Sequence, residues 1–180
     1  MRDGEGRLED EEIVWQGRYI AAKRRGSWEY VSRARGIGAA VIVAIDDGAV
    51  LLVDQYRVPL GRRCLELPAG LIGDDAGLEE ESPARAAARE LEEETGYRAG
   101  QMTELGEFWS SPGMVHESYT LFRAHDLVRV GEGGGTEGED IVVNRVPLDQ
   151  LAGFVAAARE RGTAIDGKLL LLLSGSLLAP

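Results

Sequence analysis

The stretch "RELEEETGY", Arg89 to Tyr97, places Glu90, Glu92, Glu93 and Glu94 within little more than one helical turn. Its surroundings read as a helix: Ser82 suits the N-cap, Pro83 the first helical position, and Gly96 a C-terminal stop. On that helix Glu90 shares a face with Glu93 and Glu94, and each such pair repels by roughly a few tenths of a kcal/mol. The cluster also sits in the last turns, where the helix dipole prefers cations. A solvated acidic face is the ordinary reading of a charge run, with Arg85 and Arg89 softening its cost. A divalent cation, by contrast, reverses the sign of every one of these interactions. Mg²⁺ takes hard oxygen ligands and is commonly held by one or two carboxylates together with substrate phosphates. The pattern therefore points to metal-assisted chemistry on a phosphorylated molecule.

Working outward, "IGAAVIVAI" (Ile37 to Ile45) and "AVLLVDQYR" (Ala49 to Arg57) read as strands joined by an Asp46-Asp47-Gly48 turn. Their nearly continuous apolar character predicts a sheet covered on both faces. "CLELP", from Cys64, reads as a short strand, and "IVWQGRYIAAKRRGSWEYVSR", from Ile13, as two runs forming a hairpin around Gly26-Ser27. Downstream, "TELGEFWSSPG", "ESYTLFRAHDLV" and "IVVNRV" read as strands, with the glycine-rich loop "GEGGGTEGED" before the last. Two helical segments follow, Leu148 to Arg161 and Gly167 to Leu178; the leucine run Leu169 to Leu173 reads as a buried helix. The expected organisation is an N-terminal hairpin segment, residues 1–36, able to form a dimer, and one domain at residues 37–180.

With 180 residues and 44% apolar content, the chain can build one sizeable core. Cys64 is its single cysteine, so no intrachain disulfide or cysteine-rich zinc site is available, and the thiol reads as buried and inert. A net charge of −11 opposes binding to nucleic acid. No apolar window approaches bilayer length, and "MRDGEGRLEDEE" lacks the apolar core of a secretory signal, so the expectation is a cytoplasmic protein with no membrane partner. Small anions need only local donors, which "KRRG", "SRARG", "QYR" and "GRR" supply.

These residues resemble the Nudix box, G-x5-E-x7-R-E-U-x-E-E-x-G-U with U apolar. Arg89, Glu90, Leu91, Glu93, Glu94, Gly96 and Tyr97 fill its second half, Glu81 stands at the required distance before Arg89, and Gly70 of "LPAG" is the opening glycine. The chain departs from the box in one respect: ten residues, "LIGDDAGLEE", separate Gly70 from Glu81 where the box has five. An insertion in a polar loop costs little, but it leaves open whether Glu79 or Glu80 replaces Glu81. The resemblance implies an α+β protein, an α/β/α sandwich around a mixed sheet. It also implies hydrolysis of a nucleoside diphosphate linked to another group.

Carried over position by position, the resemblance makes Glu90 and Glu94 the principal metal ligands, with Glu93 as an additional or water-mediated ligand and the Ala69 carbonyl as a backbone ligand. The implied ion is Mg²⁺, with Mn²⁺ as a substitute, and Arg89 would orient the carboxylates. Pro112, sixteen residues past Gly96, together with "DQYR", "LELPAG" and "EGED", is similar to the ADP-ribose pyrophosphatase branch. In that branch a flexible acidic loop delivers the general base; Glu139 is the first choice and Glu137 the reserve. Arg57 suits a pyrophosphate clamp, since a planar guanidinium makes paired bonds to phosphate oxygens, and Glu117 would help position substrate. Trp15, Tyr19, Trp28, Arg33 and Arg35 can stack on a base, although core packing is the ordinary role of the aromatics. Relatives in this branch form dimers by exchanging the N-terminal sheet, so the implied pocket is shared between two chains, with Trp28 and Arg35 among its residues. The expected reaction is hydrolysis of ADP-ribose to AMP and ribose 5-phosphate. Alternatives are another nucleoside diphosphate sugar, a catalytically silent nucleotide sensor, which intact Glu90, Glu93 and Glu94 argue against, and an RNA-processing enzyme, which the acidity disfavours.

Overall fold

The computed structural model describes residues 10–73, 81–136 and 138–177. The N-terminal segment forms three strands rather than a simple hairpin: β1 (Glu12–Gln16), β2 (Ile20–Arg25) and β3 (Trp28–Arg33). The extra turn falls at Gly17, whose N–H donates to the Ile20 carbonyl at 2.9 Å and divides the first predicted run in two. This sheet also neutralises the "KRRG" cluster. Lys23 and Arg25 pair with Glu11, and Arg24 with Glu12, so these cations do not form an anion site.

Strands β4 (Ala39–Asp46) and β5 (Ala49–Arg57) meet as expected, with Asp46 opposite Ala49. Both turn residues, Asp47 (φ 44°) and Gly48 (φ 70°), are left-handed, the geometry a tight two-residue hairpin demands. Next come β6 (Arg62–Glu66), β7 (Ala69–Leu71), helix α1 (Pro83–Thr95), β8 (Tyr97–Trp109), β9 (Val115–His116), β10 (Ser118–Arg129) and β11 (Ile141–Pro147). Helix α2 (Leu151–Glu160), β12 (Ala164–Ile165) and α3 (Leu170–Leu177) close the order.

The main sheet runs β12-β6-β5-β4-β10-β8, with β11 on β5 and β7 on β4; β4 and β10 are parallel, most other pairs antiparallel. The small sheet runs β1-β2-β3-β9, so a strand from the middle of the chain completes it. Alternation along β4 explains the layers. Val41 and Val43 pack with Val50 and Leu52 of β5 against Leu151 and Val155 of α2. Ala40 and Ile42 pack with Leu51 and Phe122 against Ala87 and Leu91 of α1. Burying each large side chain of this kind stabilises by about 1.5–3 kcal/mol. A mixed sheet between two helical layers is the sandwich the sequence predicts.

Helix α1 begins after Ser82 and ends at Gly96, whose φ of 74° turns the chain directly into β8. The Ser82 hydroxyl makes no cap hydrogen bond; its carbonyl accepts from the Arg85 and Ala86 amides instead. The leucine run is only partly buried: Leu169 and Leu173 enter the core while Leu170 and Leu171 stay exposed. Among the described residues, no helix is long and apolar enough to cross a membrane.

Candidate active site

The four glutamates of α1 divide by direction. Glu92 points away, where its carboxylate pairs with Arg98 at 2.8 Å, and that bond holds it below the usual carboxylate range. Glu90, Glu93 and Glu94 line a cleft of about 850 Å³ together with Ala69, Gly70, Arg57 and Glu139. The helical period requires this split, since Glu92 lies roughly 200° around the axis from both Glu90 and Glu94.

Glu94 is the most deeply placed carboxylate, 4% exposed, and its Oε2 accepts from the Ala69 N–H at 3.0 Å. Burial pushes its carboxyl up to about 8; the Ala69 bond opposes this, and the charges of Glu90 and Glu139 add to it. Burial also raises Glu90, opposed by Arg89. Arg89 contacts Glu90 and Glu93 at 3.0 Å each and Glu81 at 3.3 Å, so one guanidinium gathers three carboxylates. Glu79 and Glu80 lie outside the described residues. Gly70 leaves the space that Glu90 occupies: a Cβ there would fall on the Glu90 carboxyl group and displace that side chain.

The loop after β10 is hydrogen-bonded to the end of α1. The final carbonyls of a helix lack partners within it, and here the Gly135 and Gly134 amides donate to the Glu93 and Glu94 carbonyls at 3.0 and 2.9 Å. A Cβ at Gly133 (φ 70°) would collide with the Thr95 backbone. The glycines therefore cap the glutamate helix, a contact that their reading as a loop did not anticipate. The same docking carries Glu139 to the cleft, where its Oε2 accepts from Thr136 N–H (2.8 Å) and Oγ1 (3.1 Å). Glu137 lies outside the described residues.

Arg57 reaches the cleft, engaged by Glu66 at 2.6 and 2.8 Å through Nε and Nη2. Glu117 also lines it and is paired at 2.7 Å with Arg33, the last residue of β3. Trp28, 66% exposed, and Arg35 do not line the cleft within one chain. Arg33 does so because it ends the strand beside β9, whereas Arg35 lies beyond it in a turn. Sequence reasoning missed Glu66, Tyr119, Asp166 and Lys168 as cleft residues. Lys168 bonds Asp166 at 2.6 Å and lies 5.7 Å from the Tyr119 ring centroid; nothing in "DGK" separates it from an ordinary turn.

Among the described residues, no group of three or more His, Cys, Asp or Glu side chains forms a ready-made metal cage. That is compatible with Mg²⁺, which keeps several waters and shares its shell with substrate phosphates. Hard carboxylate oxygens, a buried Glu94 destabilised as an anion, and a Gly70 that leaves room for Glu90 fit a divalent cation.

Cys64 lies against this cleft, 4% exposed, and burial followed by the Glu66 charge pushes its thiol up to about 12. Iodoacetamide at pH 8 is therefore expected to alkylate the native protein at least ~100-fold more slowly than the urea-unfolded chain. Equal rates would contradict the burial.

Fold and site define a class: a mixed-sheet sandwich whose sheet-covering helix presents carboxylates to a cleft beside a glycine turn. A sequence model of the NUDIX domain matches residues 34–172, and the chain belongs to that family. An ADP-ribose pyrophosphatase of Bacillus subtilis is 42% identical over 91 residues, covering 50% of this chain and 46% of that protein. The chain thus spans about half the length of this relative. A GDP-mannose pyrophosphatase of Enterobacter is 36% identical over 149 residues, covering 77% of this chain and 72% of that protein. A crystal structure described as an ADP compounds hydrolase superposes with a TM-score of 0.69 at 26% identity, covering 94% of this chain and 92% of that one.

Proposed function

We propose that the protein is a Mg²⁺-dependent Nudix pyrophosphatase that hydrolyses ADP-ribose, with water, to AMP and ribose 5-phosphate. The observation that carries this reading is the convergence of Glu90, Glu94, Arg57 and Glu139 on one cleft. Glu90 and Glu94, with Glu93 and the Ala69 carbonyl, would hold the cation. Bound there, a divalent cation neutralises charge on the pyrophosphate and lowers the pKa of an attacking water. Arg57 binds phosphate oxygens: Glu66 engages only two of its nitrogens, and a guanidinium carries five N–H donors. Glu139 accepts the proton of the attacking water on Oε1, while Thr136 holds Oε2. Glu117, fixed by Arg33, positions the substrate.

A second reading, another nucleoside diphosphate sugar, is favoured by the longer match to the GDP-mannose pyrophosphatase. A panel of ADP-ribose, GDP-mannose and related compounds, assayed with Mg²⁺, with Mn²⁺ and with EDTA, tests both. Turnover of ADP-ribose that persists in EDTA, or none on any member, would reject the proposal.

We also infer a homodimer in the cytoplasm, built through the N-terminal segment, residues 1–36. Ile13, Val14, Trp15 and Trp28 are each more than half exposed, and a second copy of this segment would cover apolar surface of this kind. Such a dimer would let Trp28 and Arg35 reach the partner's cleft. Light scattering at the monomer mass would remove this inference.

A further inference from the structure

The proposed base sits in a segment held at both ends, and only one end is explained by the glycines that cap α1. The other end is Asp140, the residue after Glu139 and the last before β11. Its partner is Arg63 on β6. Strand β5 lies between them, pairing β6 along one edge (Tyr56 opposite Arg63) and β11 along the other (Gln55 opposite Ile141). The Arg63 guanidinium spans that strand. Nε donates to Asp54 Oδ1 at 2.7 Å, Nη1 to Asp140 Oδ2 at 2.7 Å, and Nη2 to the carbonyls of Asp54 (2.5 Å) and Asp140 (3.2 Å).

We propose that Arg63 is a positioning residue for the hydrolytic step, clamping the Asp140 carboxylate and carbonyl across β5 so that Glu139 is held over the carboxylates of α1. The geometry favours this over a surface ion pair of no consequence. An isolated exposed pair contributes little, but here one planar group binds both the side chain and the backbone carbonyl of Asp54 on β5 and of Asp140 just before β11, and the Arg63 side chain is 32% exposed. A lysine, with a single ammonium, cannot reproduce the four bonds. Asp54 keeps Arg63 aimed when Asp140 is altered, so the two ends of the clamp can be tested separately.

The role rests on the assignment of Glu139 as base, and the test separates the two. Asp140→Ala is the main variant, because its side chain is 75% exposed and its removal spares the core; Arg63→Lys is the second. With the best substrate of the panel, each is expected to lower kcat about 10- to 100-fold through misplacement of the base, with KM unchanged. Glu139→Gln alone is expected to lower kcat by about 100-fold or more. In that background Asp140→Ala should change kcat by less than about twofold, because the group it positions is gone. An equal loss from Asp140→Ala in both backgrounds, or a rise in KM with kcat intact, overturns the clamp. Full turnover by Glu139→Gln overturns the base and this role with it. Hydrogen exchange reads the anchoring without activity: Asp140→Ala should speed exchange at the amides of Glu139 to Ile141 and leave α1 unchanged. Wild-type exchange at those amides would overturn the clamp whatever the reaction.

Discussion

Glu94→Gln is expected to lower kcat about a thousandfold, the equivalent of several kcal/mol of transition-state stabilisation, while leaving the protein folded. Glutamine keeps the shape and can still accept the Ala69 N–H bond, so the loss isolates the charge. The same variant should flatten a pH dependence of stability. Burial holds the folded Glu94 carboxyl at about 8, above its unfolded value, so the folded state binds the proton more tightly. Its contribution is fully present below the unfolded pKa and is lost as pH rises through the folded one. In EDTA the wild-type protein should therefore lose stability between about pH 4.5 and 8, and Glu94→Gln should lose less over that window. Saturating Mg²⁺ should raise the wild-type midpoint most at the alkaline end and move the variant little. Urea titrations at several pH values, with and without Mg²⁺, provide the measurement. A variant with full Mg²⁺-dependent activity would remove Glu94 from the metal site.

Gly70→Ala should be nearly as damaging, for a steric reason. Its φ is not left-handed, so the backbone tolerates alanine, but the new Cβ would occupy the position of the Glu90 carboxyl group. Glu90 would have to swing out, which costs the fold little because the nearest atoms met all belong to its flexible side chain. Displacing one carboxylate from its working position should reduce kcat about 100-fold and raise the Mg²⁺ concentration needed for half-maximal rate. Gly153→Ala on α2 is the matched control, since nothing lies within 4 Å of its added Cβ. That change should stabilise the helix by about 0.5–1 kcal/mol and leave turnover alone. Wild-type kinetics in Gly70→Ala would show that Glu90 acts from another position.

Some of the site was legible because it depends on local rules. Pro83 and Gly96 bound α1 through dihedral preferences that act within a few residues, and the apolar runs of β4 and β5 require helices on both faces of their sheet. Helical spacing likewise separates Glu92 from Glu90 and Glu94 before any neighbour is known. The clustering of like charges against the negative end of a helix could be recognised as unfavourable without a structure, and it pointed to a cation.

Tertiary structure decided which carboxylates count and what holds them. Glu94 is buried because β7 delivers the Ala69 amide to it, and burial is a property of the opposing surface rather than of the helix. Arg33 reaches the cleft and Arg35 does not, because β3 ends where it pairs with β9, a strand from far along the chain. In sequence the glycine-rich stretch was legible only as a loop, yet its amides complete α1; Arg63 and Asp140, 77 positions apart, meet only because β6 and β11 flank the same strand. Local chemistry named the helix and the class of ion it suits, whereas desolvation and cross-strand contacts, which depend on distant segments arriving together, assigned each charge its place.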